Sequence, residues 1–281
     1  DNIGDMANKG VELELNYIPV NKKNFTWKIN LNLTHYKNKI TYLPDEKKTT
    51  VMDGHGGYMN GSRYYGEDLP INTWYMKRFA GLSEDGLSLW YYTDKETNEE
   101  KTTTTYSTGD FYLCGDPNPD LYGGFGTSIT FHGFDLSTQF SYLVGGLTYD
   151  YGYAGMMGNP TATSVGNRWH KDVLKAWSPE NPSSTIPRWY FNDLNTTGSS
   201  DRFLIDGSYL NLQNIQVGYT LPDSWTSHLK IKNLRLYFVC DNVYYWSKRK
   251  GLDPRRSISG VGTSGKIAPF RTYSGGISLQ F

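Results

Sequence analysis

The chain has 281 residues, and its 28 lysines and arginines balance its 28 aspartates and glutamates, so no net field draws it toward nucleic acid or anionic lipid. No run of about 18 apolar residues occurs, which excludes a transmembrane helix. The abundance of Tyr, Trp, Gly, Thr and Asn, with little Ala, favours strands joined by polar loops.

Strands announce themselves by alternation. In VELELNY (11–17), Val11, Leu13, Leu15 and Tyr17 face one way and Glu12, Glu14 and Asn16 the other. FTWKINLNL (25–33) sets Phe25, Trp27, Ile29, Leu31 and Leu33 against Thr26, Lys28, Asn30 and Asn32. FDLSTQFSY (134–142) repeats the pattern, and the closing RTYSGGISLQF puts Tyr273, Ile277, Leu279 and Phe281 on one face. Seven strands are expected in all, over 9–19, 24–36, 121–132, 134–145, 208–221, 231–244 and 268–281. The fifth, YLNLQNIQVGYTL, changes phase near Gln213–Asn214, where a bulge restores a single apolar face.

The connections alternate in length. PVNKKN, HG and PDSWTSHLK are short, whereas 37–120, 146–207 and 245–267 are long. Short turns at one end and long loops at the other describe an antiparallel up-and-down transmembrane β-barrel. Tyr17, Phe25, Trp27, Phe131, Phe134, Tyr219 and Phe281 all fall on the apolar face toward the short-turn end and read as an interfacial aromatic girdle. Phe281, on the last strand, then faces lipid at the rim. Seven strands leave two edges, so the chain is expected to be part of a larger barrel or to pair with other chains. The opening DNIGDMANKG carries no leader-like segment, which fits removal of a leader or a longer parent chain. A soluble carbohydrate-binding β-sandwich is the alternative.

Candidate binding residues lie in the long connections. Tyr64, Tyr65, Trp74, Tyr75, Trp90, Tyr91 and Tyr92 crowd the first, and such rings stack on ligands, on a partner, or on one another. In SVGNRWHKDVLKAWSPENP (164–182), Trp169, Val173, Leu174 and Trp177 recur at helical spacing and predict a short amphipathic helix. His170 has no second ligand at metal spacing, and Glu84–Asp85 and Asp94–Glu96 lack the alternating oxygens of a calcium loop. GVGTSG (260–265) is glycine-rich, but no helix follows to make a phosphate site. No catalytic constellation and no cofactor motif appears, so the chain is expected not to be an enzyme. Cys114 and Cys240 are compatible with a disulfide or with free thiols.

Five stretches together resemble the C-terminal part of a SusC/RagA-type TonB-dependent transporter of the Bacteroidetes outer membrane. They are NIGDMANKGVELELNY (2–17), GDPNPDLYGGFGTSITFHGFDLSTQFSYLVGG (115–146), FLIDGSYLNLQNIQVGYTLP (203–222), LRLYFVCDNVYYWSKRKGLDP (234–254) and the closing RTYSGGISLQF. The resemblance implies that residues 1–281 supply about the last seven strands of a 22-stranded barrel with a plugged lumen. It further implies a SusD-like surface lipoprotein as lid, energy from TonB through a plug absent from this chain, and oligosaccharide or peptide cargo. Lumen-facing Glu12, Glu14, Lys28, Asp135 and Arg235 are then wall residues, and Tyr273, Ile277, Leu279 and Phe281 form the terminal assembly signal.

Overall fold

The computed structural model describes residues 4–161, 166, 168–193, 195–196, 198–249, 251–256, 259–260 and 269–281. Seven long strands form one antiparallel sheet in strict chain order, each paired with its neighbours in sequence. They are β1 (Asp5–Lys22), β2 (Phe25–Tyr42), β3 (Leu121–Phe131), β4 (Phe134–Val144), β5 (Tyr209–Thr220), β6 (Asn233–Ser247) and β7 (Thr272–Gln280). All seven expected strands are present. The first two run further toward the long loops than their alternation suggested, and β7 starts at Thr272, with 268 outside the described residues.

The register carries each residue type across the sheet. Leu15, Leu31, Phe125, Phe140 and Leu212 lie in one cross-strand row, with Phe125 and Phe140 stacked at 4.6 Å. The next row on the opposite face runs through Asn16, Asn30, Gly126, Gln139, Asn214 and Asp241. Against β4, the step from Gln139 to Phe140 is matched by a step from Asn214 to Leu212, so Gln213 is the extra residue of a bulge. That bulge brings Leu210 and Leu212 onto the face of Ile215, Val217 and Tyr219, as the phase change required.

Among the described residues no second sheet covers the apolar face. Val11 and Ile277 are each 66% exposed, and Leu13, Phe134, Phe238 and Tyr273 are exposed as well. A soluble sandwich would bury these side chains against a second layer.

The turns are short at one end. His132 and Gly133 join β3 to β4 with φ of 46° and 87°, the left-handed pair that a two-residue hairpin needs to match strand twist. Lys23–Asn24 joins β1 to β2, and a helical turn over Asp223–Thr226 joins β5 to β6. At the other end, the long connections fold into a packed body containing three small sheets. Trp74 and Met76 from the first connection meet Tyr149, Met157 and Phe203 from the second to make the buried core. The hydrophobic core therefore sits in the loops.

Candidate functional site

Two surfaces present chemistry: the polar face of the sheet and the loop body above it. On the polar face, Asp135 of β4 receives Nε and Nη2 of Arg235 from β6 at 2.9 and 2.6 Å. The pair reaches across β5 because the intervening position is Gly218, where a Cβ would lie 2.5 Å from both groups. Gly126 of β3 likewise leaves room between its neighbours, and the Asn30 amide donates across it to Gln139 at 3.5 Å. Asn214 donates to Asp241 at 2.7 Å. This face is thus a lattice of amides with one crossed ion pair, open to a cavity of about 620 Å³ bordered by Asn16, Lys28, Asn30, Gln139 and Asn214.

The loop body is fastened to that wall. Asn38 of β2 donates to Asn8 at 2.7 Å and accepts the Ile71 amide at 2.8 Å, so the first connection folds down over the polar face. The third connection enters through Arg255, which holds Asp253 by two bonds of 2.8 and 2.7 Å and donates to Asn211 of β5 at 2.7 Å. Arg249 pairs with buried Asp150 of the second connection, its Nε at 2.6 Å. The Phe79 amide donates to Asp201 at 2.8 Å, tying the first connection to the second.

Burial sets the charge states inside the body. The Arg63 guanidinium lies over the Trp74 ring at 3.1 Å and donates to the Asn72 carbonyl at 2.6 Å, and desolvation pulls it down to about 10. Arg202, between Phe79 and Phe203, is likewise lowered to about 10 by burial. Both remain cations at neutral pH. Burial pushes the Asp201 carboxyl up against the pull of the Phe79 amide, and pushes the Cys114 thiol up to about 11. Cys114 and Cys240 are both free thiols.

The aromatic candidates separate into two classes. Trp74, Tyr64 and Trp90 are essentially without accessible surface, at 0%, 0% and 1%. Trp74 donates its indole N–H to the Leu147 carbonyl at 3.1 Å, Tyr64 donates to the Thr50 and His55 carbonyls, and Trp90 is edge-on to Phe79 and Tyr106. Tyr75 is buried and stacked on Phe111 at 5.0 Å. Of the readings open to them, these four show packing of the loops against themselves: Tyr64, Trp74 and Tyr75 lie in the small sheet over Arg63–Gly66 and Thr73–Lys77, nearly all of which is buried, and Trp90 lies in the separate strand Ser88–Thr93. Tyr65, Tyr91 and Tyr92 keep partial exposure, with Tyr65 stacked on Tyr58 and Tyr91 under Arg78.

The expected amphipathic helix is corrected. Among the described residues of that stretch only Lys171–Lys175 is helical, as a 3-10 turn capped by His170, whose ring accepts the Asp172 amide at 3.2 Å. The prolines at 179 and 182 stop propagation; residues 164, 165 and 167 lie outside the described set, as do 261–265 of the glycine-rich stretch. Trp169 precedes the turn and meets Trp189 edge-on at 5.4 Å, while Trp177 follows it and presses its ring onto Gly86. Trp189, Tyr190 and Phe191, exposed by 40%, 62% and 54%, are the apolar loop side chains that periodicity passed over, since three consecutive rings fit no period.

Toward the short turns, Phe25 meets Phe131 at 6.1 Å and Phe134 meets Tyr219 at 4.3 Å in one register row. Trp27 lies one apolar row further in and donates to Thr127 at 2.8 Å; Tyr17, opposite Ile29, is two rows in. Phe281 follows β7 and is 74% exposed. A second aromatic group, Tyr244 and Trp246 at 4.8 Å, stands on the same face at the long-loop end of β6. From Leu236 to Trp246 the strand climbs roughly 25 Å if tilted as barrel strands are, the height of a lipid-facing apolar band.

Known proteins share both sequence and architecture with this chain. TonB-dependent receptor P3 of Formosa agariphila is 29% identical over all of the chain and 29% of its own length. TonB-dependent receptor SusC of Bacteroides thetaiotaomicron is 27% identical over all of the chain and 27% of its own length. Over its whole length the chain is similar to TonB-dependent receptors, SusC among them. A solved structure of the RagAB peptide transporter superposes on the whole chain with a TM-score of 0.82 at 24% identity, covering 30% of the matched polypeptide. A second, of the RagAB peptide importer in an open-open state, gives 0.78. No family profile matches. The chain spans less than a third of the length of the curated SusC-type relatives it matches. Its seven-stranded sheet accordingly has the fold of part of a transmembrane barrel wall, one face apolar and the other carrying the amide lattice.

Proposed function

We propose that this chain forms wall and mouth of an outer-membrane importer that takes up oligosaccharides or peptides too large for simple pores. TonB supplies the energy, and a SusD-like lipoprotein closes the loop end, which faces outside the cell. The observation that carries the reading is the exposed apolar face of a sheet whose core lies entirely in loops packed at one end. That division suits a wall in lipid bearing a rigid mouth. The curated relatives are TonB-dependent receptors, and the RagAB neighbour is a peptide transporter. Cargo and lid contacts fall to the half-exposed rings, Tyr65, Tyr91, Tyr92 and Trp169, together with Trp189 and Tyr190.

The test is uptake. Cells carrying the intact protein should accumulate labelled oligosaccharide or labelled peptide in a manner abolished by a proton uncoupler and by loss of the protein. Recovery of the intact protein in a water-soluble, detergent-independent form would overturn the reading. For the rings, Tyr92→Ala with Trp189→Ala should weaken cargo or lid binding at least fivefold, while Trp90→Ala should act only through loop stability.

A further inference from the structure

Tyr237 of β6 stands in a cross-strand row between two glycines, Gly218 of β5 and Gly276 of β7, on the polar face of the sheet. The Gly218 gap is already taken, because the Arg235 guanidinium passes over it to Asp135 and lies 5.1 Å from the Tyr237 ring centre. The ring leans the other way, across β7. A Cβ at 276 would collide with Cζ and Oη of the phenol, so the tip of the side chain sits directly over the Gly276 backbone. Gly276 is not in the left-handed region, which leaves room for the ring as the reason for glycine there. Gly275 shows the contrast, since a Cβ on it would meet nothing nearer than a backbone oxygen at 3.9 Å.

β7 is the last strand of the sheet on that side, so the phenol ends at an edge. Within hydrocarbon no strand edge persists unpaired, since its N–H and C=O groups have no water to bond. A strand added to β7 continues the row, and the side chain it sets opposite Gly276 starts about 5 Å from the place a Cβ of residue 276 would occupy. The Tyr237 hydroxyl already lies at that place. It is therefore within hydrogen-bond reach of the polar atoms of the added side chain, and a phenol hydroxyl can both donate and accept.

We propose that Tyr237 is a latch for the next strand: it crosses Gly276 and hydrogen-bonds a polar side chain, an amide, carboxylate or hydroxyl, that the strand adjoining β7 places opposite that glycine. This rests on the reading of the sheet as part of an outer-membrane wall. The latch fixes register as well as contact, because a slip of one residue turns the polar side chain to the apolar face. One neutral hydrogen bond of this kind shifts a local opening equilibrium by about fivefold.

The experiment uses the intact transporter in bilayers, with hydrogen exchange of backbone amides as the readout and heat-modifiable mobility as the check on folding of every variant. Tyr237→Phe keeps the ring over Gly276 and removes only the hydroxyl. It should speed exchange about fivefold at the β7 amides that face away from β6, and leave the amides between β5 and β6 at the parent rate. Gly276→Ala displaces the ring, so it should speed the same β7 amides, and adding Tyr237→Phe to it should change nothing further. Equal exchange at those amides in the parent and the folded Tyr237→Phe protein overturns the latch. Equal acceleration on both sides of β6 also overturns it, because that marks a packing role alone. If the outward β7 amides of the parent exchange at free-chain rates, no strand adjoins β7 and the wall reading fails first; protection that is insensitive to the hydroxyl defeats this proposal alone.

Discussion

Single residues divide by what their loss exposes. Trp74 is fully buried, lies beneath the Arg63 guanidinium, and bonds the Leu147 carbonyl across two connections. Trp74→Ala should therefore destabilise the loop body by about 3–5 kcal/mol, since it opens a large cavity and leaves a buried cation without its ring. Limited proteolysis of the folded barrel reads this as faster cleavage within 43–120, and Trp74→Phe should recover some of the loss. Asp94 behaves differently because it is a surface turn. Its carboxylate accepts the Glu96 and Thr97 amides at 2.9 and 3.2 Å and Lys101 Nζ at 2.6 Å, the lysine bond doing most to hold it down to about 2. A carboxyl lowered from its usual 3.8 contributes stability in full above that value and loses it as pH falls through about 2. The Glu96 and Thr97 amide resonances should titrate with a midpoint near 2, and Asp94→Asn should abolish that titration. A midpoint near 4 would show that the turn does not hold its carboxylate.

Elements of the wall obey a two-residue rhythm, and β5 contains its one legible exception. Removing Gln213 leaves Leu210, Leu212, Ile215, Val217 and Tyr219 in unbroken alternation and keeps Phe140 opposite Leu212 and Gln139 opposite Asn214. Against β6, where Gln213 already faces both Asn242 and Val243, the same deletion widens the mismatch, so it should preserve a folded, heat-modifiable barrel of lowered stability. Deletion of Thr138 from β4, which has no bulge, turns half its side chains to the wrong face and should abolish assembly. The seven strands, the phase change and the segregation of loop lengths were all readable, because in a wall with lipid on one side and water on the other each residue reports its own solvent. The loop aromatics were not. In sequence Trp74, Tyr64 and Trp90 could stack on a ligand, on a partner or on one another, and only the fold shows all three buried, Trp74 against segments distant in the chain. Tertiary burial of that kind leaves no period to read. The crossing of β5 by Arg235 and Asp135 was equally hidden, since it depends on Gly218, a residue that contacts neither until the three strands are laid side by side.

At the scale of the molecule, the two faces of one strand should respond oppositely to the same change. Phe238 of β6 sits opposite Val217 and Gly275 on the apolar face and is 50% exposed, although water is the wrong solvent for it. Its neighbour Val239 lies between Gln216 and Ser274 on the lumen face. A cation facing hydrocarbon costs about 2–4 kcal/mol near the middle of a barrel, and almost nothing where it meets the wet interior. Phe238→Lys should therefore lower the stability of the intact barrel by about 2 kcal/mol or more and reduce its level in the membrane, while Val239→Lys should be tolerated. Denaturant unfolding in bilayers, followed by loss of heat-modifiable mobility, separates the two. A soluble protein with a second layer over Phe238 would also suffer from the first change, so the decisive arm is solvent: transfer from bilayer to detergent-free buffer should leave the parent aggregated. The same exposed apolar face that makes the wall in lipid forbids a monodisperse existence in water.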